Sequence, residues 1–172
     1  MSEAVSLLLW LAAGWLAWPL VEYGIHGVLA HGLRTPVSPL HWAHHADPHR
    51  VFTSPLAWLP AAGLGLALLW SAVGAERAIA AAAGLLAGFL RYEYVHWRIH
   101  FREPRGARQR LLRCHHLAHH YRNPQAYYGV STRFWDRVFR TLPDTYARDY
   151  AAVAARAPLE GPSNLGQLLP PA

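Results

Sequence analysis

The 172-residue sequence has no lysine and a single cysteine, and both features narrow its class. Cys114 alone cannot form an internal disulfide, so export to an oxidising compartment is not implied. All sixteen basic residues are arginines, and against ten acidic residues they give a net charge of +6. Such a charge suits nucleic-acid binding, but no recognition fold is visible, and we expect no nucleic-acid partner. The length suits one domain.

Charged residues are missing from three long segments. Eighteen uncharged residues separate Glu3 from Glu22, and twenty-five separate Arg50 from Glu76. A third apolar segment, Ala78 to Leu90, continues in a helical pattern towards His100. About 20 apolar residues in a helix cross a bilayer. The sequence therefore predicts an all-α integral membrane protein with three transmembrane helices and a helical, histidine-rich cytoplasmic cap.

The arginines are unevenly distributed around these segments. None precedes the first span, and only Arg77 lies in the turn between the second and the third. Arg34 and Arg50 follow the first span, and five arginines lie between Arg102 and Arg113. By the positive-inside rule, we expect the histidine-rich segments on the cytoplasmic side and the N-terminus outside. Arginines beside a membrane pair with anionic headgroups, which explains the basic charge without nucleic acid.

The predicted organisation is a single membrane-embedded domain over residues 1–172. It consists of a first helix over 4–31, bent at Pro19, and a helical hairpin over 55–100. The cytoplasmic cap covers 101–145, and a loose tail rich in proline and glycine covers 158–172.

Twelve histidines are the main anomaly of the composition, and ten of them fall into four spaced clusters. Because residues i, i+3 and i+4 share a helix face, each HxxHH triplet is predicted to project three imidazoles in one direction. His26 and His31 are five residues apart, about 140° around an ideal α-helix. Either they contact different metals or the helix loosens between them. The clusters are His26 and His31; His41, His44 and His45; His96 and His100; and His116, His119 and His120.

Ten spaced histidines exceed the needs of one metal ion, which takes four to six ligands. The pattern therefore predicts a dinuclear site with nearly all-nitrogen ligation. A single histidine near a membrane is more often a polar interface anchor, and His49 and His115, outside the spacing, suit that interpretation. A bis-histidine haem would need single histidines on facing helices rather than adjacent triplets.

Three carboxylates are candidates to support the metal ligands. Glu22 lies four residues before His26, and Glu93 lies three before His96. Each is predicted to accept the N–H of a ligating imidazole and so fix its tautomer. The alternative for both is a helix-end charge paired with an arginine. Asp136 either serves in the same way or ties down the cap.

Taken in order, four motifs resemble the fatty acid hydroxylase superfamily, and most closely its fatty acid (ceramide) 2-hydroxylase branch. They are EYxxHxxxxH, HxxHHxxP, YExxHxxxH and HLxHHYxNPxxxYGVSxxxWDxVFRT, and they extend from Glu22 to Thr141. The resemblance implies a membrane-embedded oxygenase with a histidine-bound dinuclear metal centre, normally two iron ions, and with O₂ as co-substrate. By the matching positions, the metal ligands would be His26, His31, His41, His44, His45, His96, His100, His116, His119 and His120.

The hypothesis is an O₂-dependent di-iron fatty acid hydroxylase, a monooxygenase acting at C2 of a fatty acid or fatty-acyl membrane lipid. Gly27 and Arg50 depart from the family pattern, where arginine and an acidic residue are common, and they leave the substrate open. We expect no fused haem domain, and electrons are therefore expected from a separate electron-donor protein. Zinc binds all-nitrogen sites more tightly than ferrous iron does and can replace it in purified protein.

Two alternatives remain. The first is a sterol or carotenoid oxygenase of the same superfamily. The second is a non-enzymatic metal-handling membrane protein, such as a transporter. A transporter would carry polar residues near the bilayer midplane, whereas the central residues of these spans are leucine, alanine, glycine and tryptophan.

Overall fold

The computed structural model describes residues 2–160, without the side chains of residues 55–57. The predicted loose tail lies outside the described residues beyond Glu160. The all-α prediction is confirmed, since the range 2–160 contains helices and connecting loops and no strand. In chain order the elements are α1 (Glu3–Tyr23), a π-helix named π1 (Gly24–Gly32), α2 (Val37–Ala46), α3 (Pro55–Val73), α4 (Ala75–Phe101), α5 (Ala107–Tyr121), α6 (Phe134–Val138) and α7 (Tyr146–Val153).

Two of the three predicted spans are long and apolar enough to cross a membrane. The first is the continuous helix of α1 and π1, 30 residues from Glu3 to Gly32, and the second is α4, with 27 residues. The apolar part of α3, Trp58–Val73, is shorter. Leucines on α1 are highly exposed, with Leu8 at 65% and Leu16 at 72%. Helices that are apolar and exposed in this way support a membrane protein.

The first helix has nearly the predicted extent, but its geometry changes at Gly24. Ser2 caps its N-terminus by accepting a hydrogen bond from the Val5 backbone N–H at 3.4 Å. Pro19 lies within α1 and removes one backbone donor from it. The regular α-helix ends at Tyr23, where π1 begins. The last third of the predicted helix is therefore more loosely wound than an α-helix.

α1 and α4 pack closely along a stripe of small residues. A Cβ atom on Gly84 would lie 2.0 Å from the Leu11 carbonyl oxygen, and one on Gly14 would lie 2.0 Å from that of Ala81. Gly84 and Gly88 form a small-xxx-small pattern, which allows two membrane helices to approach backbone to backbone. Trp18 lies against Gly88. This contact holds together the helix ends that carry two of the histidine pairs.

The cap packs against the C-terminal end of α4. Ile99 of α4 packs with Leu112 of α5 and with Val130 in a buried cluster. The Leu159 backbone N–H donates to the His100 carbonyl at 2.8 Å. Beyond residue 145, the predicted end of the cap, α7 packs against α5 and buries Val153 completely. The cap is therefore a packed helical unit that continues to α7.

Candidate metal centre

The structure brings ten imidazoles together in two groups of five. Within each group, one ring nitrogen from every residue lies within 4.8 Å of the others. These are the ten histidines of the four sequence clusters, and each group could hold a metal ion. Group A contains His26, His31, His41, His45 and His119, and group B contains His44, His96, His100, His116 and His120.

The π-helix explains how His26 and His31 reach the same group. An α-helix would separate them by about 140°, whereas the i→i+5 hydrogen bonds of a π-helix bring residues five apart onto one side. The Leu33 N–H donates to the Val28 carbonyl at 2.9 Å in this pattern, and the two imidazole centroids are 5.4 Å apart. Of the two explanations open from the sequence, loosening of the helix is the one observed.

Each HxxHH triplet divides between the two groups, so the prediction that all three rings project in one direction is wrong. In α2 the first and third histidines join group A, while His44 joins group B. In α5 the arrangement is reversed, and His119 alone joins group A. Consecutive residues such as His44 and His45 differ by about 100° around an α-helix, so they join different groups. Each group thus receives two pairs and one single histidine.

The spacing of the ring nitrogens fits metal binding. Neighbouring Nε2 atoms lie 3.0 Å apart between His26 and His119, and 2.9 Å apart between His96 and His116. Two nitrogens bound at about 2.1 Å to one ion, at right angles, would be separated by about 3.0 Å. The ring centroids of His31 and His41 lie 4.6 Å apart. Neither ring nitrogen of His31 has a hydrogen-bond partner within residues 2–160.

Burial favours the neutral form of the imidazoles on α2 and α5, which is the form that binds a metal. Desolvation, reinforced by neighbouring imidazoles, lowers the pKa of His44 to about 3 and that of His45 to about 4. The same causes hold the pKa of His116, His119 and His120 well below the ordinary value of 6.5.

Backbone carbonyls orient two of the group A rings. The Nδ1 atom of His26 lies 2.5 Å from the Tyr128 carbonyl oxygen, and that of His119 lies 2.7 Å from the Ala126 carbonyl oxygen. A carbonyl only accepts, so each Nδ1 carries the proton and each Nε2 keeps its lone pair for the metal. The Nδ1 atoms of four group B rings have no such partner within residues 2–160: His44, His96, His116 and His120.

Glu22 and Glu93 do not accept hydrogen bonds from His26 and His96, so that prediction is wrong. Glu22 instead accepts from the backbone N–H groups of Val130 and Ser131 at 2.7 and 2.8 Å. Glu93 accepts from the Thr53 N–H at 3.2 Å. Neither forms the alternative ion pair with an arginine within residues 2–160.

Asp136 ties down the cap, the second of its two predicted roles. It is fully buried and accepts from the backbone N–H groups of Tyr128 and Gly129 at 2.7 and 2.8 Å. It also accepts from the Thr141 hydroxyl at 2.8 Å. We call residues 126–131 the carbonyl segment, since their carbonyls orient His26 and His119. Asp136 and Glu22 therefore act on group A through this segment, without touching its rings.

The two histidines outside the groups have different environments. His49 lies at the surface, 2.9 Å from Asp47, with a side chain that is 41% exposed. His115 is fully buried, with Nε2 3.0 Å from Asp136 and Nδ1 2.6 Å from the Tyr150 hydroxyl. The interpretation of His115 as an interface anchor is wrong, because its polar atoms are used inside the cap.

Group A is the more open of the two groups. His31, His41 and His45 are half-buried, whereas in group B only His120 is. Trp42 is 44% exposed and lies beside this opening, with its ring 5.0 Å from that of His31 and 5.1 Å from that of His45. The candidate centre therefore has one side accessible from the surface of α2.

The chain is similar to several relatives of known name. The chain is 33% identical over 145 residues to the dihydroceramide fatty acyl 2-hydroxylase FAH2 of Arabidopsis thaliana, covering 77% of this chain and 60% of that protein. It is 31% identical to the ceramide very long chain fatty acid hydroxylase scs7 of Schizosaccharomyces pombe, covering 74% of this chain and 40% of that protein. It is 32% identical to the fatty acid 2-hydroxylase of Rattus norvegicus, covering 75% of this chain and 38% of that protein. The chain thus spans about two fifths to three fifths of these curated relatives.

A solved structure has the same fold. The structure of full-length scs7p, in which only the hydroxylase domain is visible, matches with a TM-score of 0.73 and 28% sequence identity. The match covers 94% of this chain and 61% of that one. The family model for fatty acid hydroxylase matches residues 11–141, a range that contains all ten clustered histidines. On these grounds the chain belongs to the fatty acid hydroxylase family.

Proposed function

We propose that the chain is an O₂-dependent monooxygenase that hydroxylates a lipid acyl chain, at C2 of a fatty acid or fatty-acyl lipid. Its cofactors are two iron ions, one held by the five histidines of group A and the other by the five of group B. The observation that carries the proposal is the assembly of ten imidazoles into two five-nitrogen groups.

The names of the relatives favour an acyl substrate. They are hydroxylases of fatty acids, of ceramide fatty acids and of dihydroceramide fatty acyl groups. No comparable observation supports a sterol or a carotenoid. For metal transport, a binding site near the middle of the spans would be expected. The middle of the α1–α4 contact is instead closed by backbone packing at Gly14 and Gly84.

The overall reaction inserts one oxygen atom of O₂ into a C–H bond and reduces the other to water. It consumes two electrons and two protons, which a separate electron-donor protein and the solvent provide. When bound, the two metal ions supply the redox chemistry that amino-acid side chains cannot provide. The chain supplies the ligands, their protonation state and access to the centre.

The contribution of the chain's own residues follows from the site. Neutral imidazoles present Nε2 lone pairs to the centre, and His26 and His119 hold their protons at Nδ1 against backbone carbonyls. Burial of group B excludes water from one side of the centre. The half-buried side of group A, beside Trp42, is the side from which an acyl chain would approach.

The membrane arrangement is part of the proposal. α3 would form a third span beside the two long helices, with the cap and the metal centre on the cytoplasmic side and the N-terminus outside. The arginine distribution supports this arrangement, because five arginines lie between Arg102 and Arg113 and none precedes the first span.

The experiment that tests the proposed function is ¹⁸O₂ incorporation by iron-reconstituted protein. The purified chain, a reductant and labelled acyl lipids should yield a 2-hydroxylated product that contains one ¹⁸O atom. His119→Ala removes a group A ligand and should lower turnover at least a hundredfold. His49→Ala, a histidine outside both groups, is the matched control and should stay within about twofold of the wild type. Absence of hydroxylated product across acyl, sterol and carotenoid substrates would refute the proposal.

A further inference from the structure

A cavity of about 180 Å³ lies between the C-terminal part of α4 and the start of α5. None of the ten clustered histidines lines it in the described part of the chain. A water molecule occupies about 30 Å³ in the liquid, so the cavity has room for a phosphate-sized group. Glu103 is its one acidic lining residue, against five arginines: Arg91, Arg98, Arg102, Arg108 and Arg113.

Within residues 2–160, none of the cavity arginines forms an ion pair with an acidic side chain. All ten acidic residues of the chain lie between Glu3 and Glu160, and none forms an ion pair with these arginines in that described range. Arg113 is only 6% exposed, and its guanidinium donates to the carbonyls of Ile99 and Arg156. A buried cation bonded only to neutral carbonyls is unfavourable unless an anion balances its charge.

Neighbouring side chains hold two of the other guanidinium groups in place, those of Arg98 and Arg102. Arg98 donates to the Tyr94 hydroxyl at 3.3 Å and to the Gln109 amide oxygen at 3.2 Å. The Arg102 guanidinium lies 5.0 Å from the centroid of the Trp97 ring. Planar guanidinium groups bind phosphate through two parallel hydrogen bonds. The cavity therefore presents pre-positioned donors that suit an anionic, phosphate-like group.

The position of the cavity along α4 matches the headgroup level of a bilayer. At 1.5 Å per residue, Arg91 lies about 24 Å and Arg98 about 35 Å from the start of α4 at Ala75, whereas the hydrocarbon core is about 30 Å thick. On the N-terminal side of the arginines, Leu86 and Leu90 of α4 are 47% and 58% exposed. A ligand with a phosphate and acyl chains would therefore contact both the cavity and this apolar surface.

We propose that the cavity binds the phosphate headgroup of an anionic phospholipid, whose acyl chains lie along the exposed apolar surface of α4. This lipid is bound outside groups A and B, and its binding does not depend on the proposed hydroxylation. The site accounts for the basic character of the α4–α5 junction.

Native mass spectrometry of the purified full chain with phosphatidylglycerol or phosphatidylcholine tests the site. The wild type should bind phosphatidylglycerol at least tenfold more tightly than phosphatidylcholine. Arg98→Gln combined with Arg108→Gln should weaken phosphatidylglycerol binding at least tenfold. Arg110→Gln is the matched control, because Arg110 is exposed on α5 and does not line the cavity. It should change the affinity less than twofold, and metal content equal to the wild type would verify folding of both variants.

Several results would overturn the site. Equal weakening by Arg110→Gln would reveal general charge attraction instead of a binding cavity. Displacement of the lipid by millimolar inorganic phosphate would show that the cavity takes the free anion. The double variant could also keep its lipid binding and lose the binding of a soluble acidic redox protein. That result would show that the cavity binds a protein instead of a lipid.

Discussion

Asp136 connects the cap to group A without contacting any of its rings. Its carboxylate accepts two backbone hydrogen bonds from the carbonyl segment, whose carbonyls in turn fix the Nδ1 protons of His26 and His119. Gly129 fits this turn because a Cβ atom there would lie 1.9 Å from the Thr132 carbonyl oxygen. Groups that orient metal ligands also tune the affinity for the metal.

Asp136→Asn should lower the affinity of group A for metal by about 10- to 100-fold, because an amide nitrogen cannot accept the hydrogen bonds that the carboxylate accepts. Four of the five group B rings have no hydrogen-bond partner at Nδ1 within residues 2–160, so the metal affinity of group B should change much less. Calorimetric titration of the metal-free protein in detergent measures both sites. Asp47→Asn, at a surface carboxylate, is the control. Equal affinities for Asp136→Asn and the wild type would contradict this role.

The neutral imidazoles predict acid sensitivity of the metal-free protein. Burial lowers the pKa of His44 and His45 to about 3 and about 4, while an unfolded chain has the ordinary value near 6.5. Between these values the unfolded chain binds protons that the folded chain does not bind, so stability falls as the pH falls from about 6.5 towards 4.

Thermal unfolding in detergent at pH 7.5 and pH 5 measures this effect, with a lower melting temperature expected at pH 5. His44→Gln should reduce the pH dependence, because it removes one of the groups whose pKa burial lowers. A metal-free protein that is more stable at pH 5 than at pH 7.5 would rule out the neutral imidazole groups.

At the scale of elements, α1 and α4 position the two histidine pairs that come from the spans. Their backbones meet where Gly14 and Gly84 have no side chains, and π1 then turns both His26 and His31 towards group A. Gly27 lies within π1 at a position where a Cβ atom would be 2.9 Å from the Tyr128 ring. Helix packing and helix geometry are therefore both needed to form the centre.

Gly84→Leu should separate α1 from α4 and destabilise the protein by about 1–3 kcal/mol, the usual effect of overpacking. Gly63→Leu in α3 is the matched control, because nothing lies within 4 Å of a Cβ atom at that position. The melting temperature in detergent and the metal content after reconstitution should fall for Gly84→Leu and stay near the wild type for Gly63→Leu. Equal stability of the two variants would show that the α1–α4 contact is not tightly packed.

The sequence predicts much of this fold because hydrophobicity and histidine spacing are both periodic. Charge-free stretches located the long helices, and the four histidine clusters are the ones that meet. The division of His44 from His45 follows from the 100° step of a helix, but only coordinates show which group each ring joins. The π-helix at Gly24 has no periodic signal of its own, so the spacing of His26 and His31 left two explanations.

Contacts between distant segments were the part that sequence reasoning missed. Glu22 is four residues from His26, yet its partners are 108 and 109 residues away in the carbonyl segment. Backbone acceptors such as the Tyr128 carbonyl carry no residue-type signature, although the YGVS and WD motifs marked their neighbourhood. Local sequence spacing therefore identified the clustered histidines, but it did not identify the backbone and carboxylate groups that orient their rings.

At the scale of the whole molecule, one arrangement recurs on both sides of the centre. Each group takes a pair of histidines from a long helix, a pair one turn apart from an HxxHH triplet, and the middle histidine of the other triplet. α2 and α5 each contribute to both groups, so neither group forms without both of these helices. We accordingly expect the chain to hold two metal ions, one in each group.

Metal stoichiometry of the purified chain tests this claim most directly. The wild type, reconstituted with excess metal and desalted, should retain two ions per chain by elemental analysis. His26→Ala with His119→Ala should leave one ion, and His96→Ala with His116→Ala should also leave one. A wild-type value of one ion per chain, or two ions retained in both double variants, would contradict the two-group centre.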